Sequence, residues 1–126
     1  MLKSALFLVA FLFPLVSVAG PGSFIFKVNG TKETYSPECI RSISYVDSDE
    51  TGSENVNFYL SDECGRMLNV TTKQNIGKKL SIYDKGNLLS SANIVSVLRN
   101  TFRISGKEMA RLVLMQLLND YGVTHN

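Results

Sequence analysis

Tryptophan is absent from this 126-residue chain, histidine occurs once, and cysteine only twice. The scarcity of histidine and cysteine closes off whole classes of function. The one histidine, His125, is the penultimate residue, and chain ends are where fraying concentrates. A Ser-His-Asp or Cys-His arrangement is therefore not expected, and no His/Cys cluster has zinc-site spacing. No glycine-rich loop of the kind that cradles phosphate is present. Asp47, Asp49, Glu50 and Glu54 cluster together, yet they lack the spacing of calcium-loop ligands about a central glycine and up to a terminal glutamate. A solvated hairpin loop is the expectation there. The chain reads as a non-enzyme, with no catalytic residue, no metal and no cofactor.

A surplus of charge is also lacking. Lysine and arginine total 13 against 11 acidic residues, and losing Lys3 with a leader would leave 12 against 11. No basic stripe exists to bind nucleic acid. Beyond residue 20, no apolar run approaches the roughly 20 residues that span a bilayer.

What is present begins at the N-terminus. Lys3 is followed by an apolar run, Ala5 to Val16, broken only by Pro14, and then by Ser17-Val18-Ala19. This pattern predicts a signal peptide over residues 1–19, cut between Ala19 and Gly20; the alternative is an uncleaved anchor. The expected product is a periplasmic or secreted protein, soluble after cleavage. Residues 20–126 then form one domain, with 20–54 as an N-terminal segment and first hairpin strand ahead of the region 55–122. About 107 residues suffice for a single core.

Such a compartment oxidises thiols. Ile40–Val46 and Asn55–Leu60 read as a hairpin around Thr51-Gly52, and Cys39 and Cys64 flank its open end. Closing the hairpin brings them together as a disulfide; the alternative is two buried thiols. Further elements are a strand at Phe24–Asn29, a helical turn at Ser36-Pro37-Glu38, and a helix from Ser61 to about Asn75. Leu80–Tyr83 and Leu88–Leu98 read as strands, and Ser105-Gly106-Lys107-Glu108 as a capping box opening a helix over Gly106–Asn119. The fold class is α+β, in the order β-β-α-β-β-α: one antiparallel sheet with both helices on one face. Met109, Val113, Leu114 and Leu117 make the core stripe of the last helix. Leu112 and Met115 fall outside it, either under a loop or as a contact surface. On the sheet, Tyr59 and Tyr83 are expected on the open face, and the facing of Tyr45 is ambiguous.

From Asn55 onward the motifs fall in a familiar order. Val56-Asn57-Phe58-Tyr59-Leu60 leads into Ser61-Asp62-Glu63, then Asn75-Ile76-Gly77-Lys78-Lys79-Leu80-Ser81-Ile82. Gly86, Leu89-Ser90, Ile94, Ile104-Ser105-Gly106 and Met109-Ala110 follow. This succession resembles the head subdomain in the first periplasmic region of SecD, an accessory subunit of bacterial protein export. Ala92 stands where that family usually has proline. The resemblance implies a stand-alone exported head, without the membrane helices that drive export, and a role in capturing an unfolded chain by analogy. The expected function is thus a non-catalytic polypeptide-binding or adaptor module. The alternative is an inhibitor or immunity-type protein that blocks one specific target.

Overall fold

The computed structural model describes residues 20–123. The expected signal peptide with Ala19 at its cut, and His125, lie outside the described residues.

Seven strands and two helices follow in chain order. Strands β1 (Phe24–Val28) and β2 (Thr31–Tyr35) form a hairpin closed by Asn29-Gly30. Both turn residues have positive φ, 53° and 84°, which is what a two-residue type I′ turn demands and what Asn-Gly supplies. Lys85 and Gly86 repeat the device, at 52° and 84°, between β5 (Lys79–Asp84) and β6 (Asn87–Asn93). Strands β3 (Ile40–Val46) and β4 (Asn55–Leu60) match the expected hairpin residue for residue. Its acidic loop is organised by one carboxylate. Asp49 Oδ1 accepts from the N–H groups of Thr51 and Ser53 at 2.8 and 2.9 Å, and Oδ2 accepts from Asn55 Nδ2 at 2.9 Å. The Thr51 hydroxyl, donating to Oδ1 at 2.6 Å, and then these donors hold the Asp49 carboxyl well below its usual range.

Helix α1 (Asp62–Lys73) begins as its sequence dictates: Ser61 Oγ accepts from Cys64 N–H at 3.2 Å, and Asp62 and Glu63 occupy the positive first turn. Strand β7 (Thr101–Ser105) precedes a single 3-10 turn at Gly106–Glu108. Helix α2 (Arg111–Asp120) starts only after that turn. The anticipated capping serine, Ser105, therefore caps the 3-10 turn through Lys107 N–H at 3.2 Å, and α2 starts later than its sequence predicts.

The α+β class, the antiparallel pairing and the two helices stand, but one sheet becomes two. Sheet A runs β2-β1-β5-β6 and sheet B runs β3-β4-β7. Their apolar faces cover each other. Phe24 and Phe26 of sheet A meet Phe58 and Phe102 of sheet B edge-to-face, at centroid distances of 5.9 and 6.0 Å. Phe58 and Phe102 stack at 4.9 Å, within the range at which aromatic pairs add to simple burial. Leu68 of α1 and Leu114, Leu117 and Leu118 of α2 complete the same core. Each helix is fastened to strands or to the turns that flank them in both sheets. For α1 the ties are Thr71 Oγ1 donating to Glu33 of β2 at 2.8 Å and the Cys39–Cys64 disulfide. For α2 they are Lys85–Asp120 at 2.7 Å and Arg111–Glu54 at 3.1 Å.

Candidate functional site

Where β6 leaves sheet A and the chain crosses to β7 of sheet B, the two sheet edges do not close on one another. A groove remains, holding about 150 Å³. Leu80 and Ile82 line it from sheet A, Phe102 and Ile104 from sheet B, and Ile94 and Leu98 from the crossing segment. That segment is pinned at both ends. Ile94 N–H donates to Lys78 O at 2.9 Å and its carbonyl accepts from Gly77 N–H at 2.7 Å. Leu98 N–H donates to Thr72 Oγ1 at 2.9 Å, and that buried hydroxyl donates to Leu68 O at 2.8 Å. Between the pins, Val95 stands 85 % exposed at the groove mouth. The segment is thus an anchored loop with an apolar tip in water, above an apolar floor.

The residues singled out from the sequence do not share one surface. Tyr59 projects from the outer face of sheet B, 36 % exposed, beside Asn57, Thr101 and Arg103. Arg103 Nε donates to Asn57 Oδ1 at 2.8 Å, and Arg103 also borders the groove, so Tyr59 lies next to it. Tyr83 belongs to sheet A and projects from that sheet's outer face, with Lys27 Nζ 5.7 Å from its ring centroid. The shared tyrosine face expected of a single sheet is lost when the sheet divides. Tyr45, opposite the buried Val56 in the β3–β4 register, packs against the core. Its hydroxyl donates to Glu54, which raises its pKa, chiefly through that hydrogen bond. Leu112 is 75 % exposed and Met115 is also exposed; both lie on α2, outside its buried stripe of Leu114, Leu117 and Leu118. Cys39 and Cys64 are joined, their Cα atoms 5.5 Å apart. Gly20 is the first described residue.

The groove has no counterpart in the single sheet expected from the sequence. The pattern of residues 88–98 predicts a single return strand with a bend at Ser90-Ser91, whereas β6 ends at Asn93 and the chain crosses to β7. Ser96 and Asn100 were the available signals that the strand had ended.

One buried carboxylate stands apart. Asp84, 5 % exposed, ends β5 beneath α2. Among the described residues its Oδ1 has no hydrogen-bond partner, and neither has the Tyr121 hydroxyl. Burial pushes the Asp84 pKa up to about 6, with Asp120 adding to the shift and Lys85 opposing it. Burial, then Asp84 and Asp120, push Tyr121 up to about 12. No group of three His, Cys, Asp or Glu side chains able to hold a metal occurs among the described residues. No helix among them is long and apolar enough to cross a membrane.

A family model described as "SecDF, P1 head subdomain" matches residues 31–117. The match reaches back past Asn55 to take in β2, β3 and the first cysteine, a longer stretch than the motifs alone indicated. No curated protein matches the chain.

Proposed function

This chain belongs to the SecDF P1 head-subdomain family, and on that premise we propose that it acts outside the cytoplasm as a non-catalytic module that holds a polypeptide. The observation that carries this reading is the groove between β6 and β7. Its floor of Leu80, Ile82, Ile94, Phe102 and Ile104 is apolar, and its walls are fixed before anything binds. Preformed apolar sites lose little entropy on binding. Nothing lining the groove is a nucleophile paired with a base, so binding is the chemistry it can offer. Tyr59 is a rim contact in this reading. Tyr83, Leu112 and Met115, on other surfaces, are left for a second, adaptor-type contact.

Two results test the proposal. Calorimetric titration of the purified protein with several unrelated, permanently unfolded polypeptides should give Kd values on the order of micromolar for each. The folded counterparts of those chains should not bind. Failure to bind any unfolded chain, with one folded partner held tightly, would contradict it. Tyr59→Ala should weaken capture roughly threefold, about 0.6 kcal/mol, without changing the unfolding midpoint. Unaltered affinity in that variant would remove Tyr59 from the site.

A further inference from the structure

The register of sheet B fixes which backbone groups of β7 are free. Leu60 N–H donates to Asn100 O at 2.7 Å, and Gly106 N–H donates to Glu54 O at 2.9 Å. Between these bonds β4 and β7 pair without a break, from Tyr59↔Thr101 to Asn55↔Ser105. In an antiparallel ladder, hydrogen-bonded pairs alternate. Phe102 and Ile104 therefore spend their N–H and C=O groups on β4. The main-chain groups of Thr101, Arg103 and Ser105 point the other way, along the groove. They have no backbone partner there among the described residues.

The other three sheet edges are guarded. Strand β3 is bulged between Ile40 and Ser42, and β6 is paired across a bulge between Ile82 and Tyr83. Strand β2 carries Lys32 and Glu33, the latter engaged by Thr71 of α1. Bulges and charges are the usual protection of an edge against pairing. Strand β7 has an unbroken register, a single charge and an apolar floor beside it.

We infer that β7 is an acceptor edge: an extended peptide pairs with Thr101, Arg103 and Ser105 and sets alternate apolar side chains into the groove. Main-chain bonding of this kind supplies affinity, while pockets for alternate side chains supply selection. The occupant's chemistry follows from the rim. Arg103, on the outer face of β7, is the one charged residue among those lining the groove. The carboxylate of Glu108, which accepts from Ser90 at 3.1 Å, lies away from Arg103 and outside the lining. The outward side chains of the bound strand therefore complement positive charge. The occupant is an extended segment alternating apolar with acidic or neutral polar residues. The inference rests on the polypeptide-binding reading and specifies how that binding is made.

The probe is a seven-residue acetylated, amidated peptide alternating valine with glutamate and serine. Its partner probes are the same peptide N-methylated along one edge and then along the other, and a version with lysine for glutamate. Methylation of the β7-facing edge should weaken binding at least about tenfold, methylation of the opposite edge should not, and the lysine version should bind less well. Ala92 is exposed on β6 and lines the groove, so Ala92→Arg should fold normally and also lose at least about tenfold. The N-methyl comparison uses the unaltered protein and does not depend on that variant folding. Equal binding of all methylated forms would overturn strand addition. An Ala92→Arg variant that is folded and binds unfolded polypeptide undiminished would overturn the location. Either result leaves the polypeptide-binding reading standing, whereas that reading fails only if the unaltered protein binds no unfolded chain. Concentration-dependent dimers abolished by Ala92→Arg would make a second copy the occupant and overturn the inference.

Discussion

Breaking the Cys39–Cys64 disulfide should lower the unfolding free energy by roughly 3 to 3.5 kcal/mol, the chain-entropy value for a loop of this length. The two cysteines are 25 residues apart in sequence. The bond joins the start of β3 to the first turn of α1, and Ser61 N–H donates to Cys39 O at 2.9 Å beside it. Loss of the link releases the open end of the β3–β4 hairpin in the unfolded chain while leaving native packing close to intact. Urea titrations of the oxidised protein, the reduced protein and the Cys39→Ala/Cys64→Ala pair measure it directly. Reduced and double-alanine forms should share a low midpoint. A midpoint that does not move on reduction would show that the hairpin and Ser61 cap hold this corner without the bond. The size of the effect ties stability to compartment, because a thiol-reducing environment would remove a large part of a small domain's 5 to 15 kcal/mol margin.

Asp84 should make the protein more stable in mild acid than at neutrality. Its carboxyl is raised from 3.8 to about 6 in the folded state, so ionisation is harder folded than unfolded. The stabilisation of the neutral form is complete below about pH 4 and is lost as pH rises through 6. The groups facing it are Asp120 at the end of α2, Tyr121 just beyond it and Lys85 from the adjoining turn. A shift of this size corresponds to roughly 2 to 3 kcal/mol between those limits. Asp84→Asn keeps the shape and removes the titration. The difference in stability between the two proteins should therefore change between about pH 4 and 6 and level off above, the variant gaining at pH 7.5. A difference that is constant from pH 4 to 7.5 would mean that Asp84 ionises in the folded state as easily as in water.

Local patterns were legible where local physics decides. The β3–β4 hairpin could be bounded exactly because β-branched and aromatic residues fill it and a polar loop interrupts it. Helix α1 announces itself through Ser61, Asp62 and Glu63. What could not be read was decided at long range. The alternation of Val56, Phe58 and Leu60 says that one face is covered, but not whether by helices or by another sheet. The cover proved to include Phe24 and Phe26 of sheet A, while the pairing β4–β7 sets Phe102 beside Phe58 on the covered face. Strand β2, Thr-Lys-Glu-Thr-Tyr, escaped notice because an edge strand with mostly exposed side chains needs no apolar alternation. The groove followed β7 out of view, since it exists only between two sheet edges. Of the residues picked for contact, Tyr59 turned out to neighbour the groove, while Tyr45 is tied to Glu54.

That this head holds polypeptide is tested most directly by amide chemical shifts of the isotope-labelled protein during titration with a permanently unfolded chain. Saturable shifts should concentrate in β6, residues 94–98 and β7, with the Thr101, Arg103 and Ser105 amides moving most. Spectra unchanged at every described residue up to about millimolar chain, the weak limit of specific binding, would contradict it.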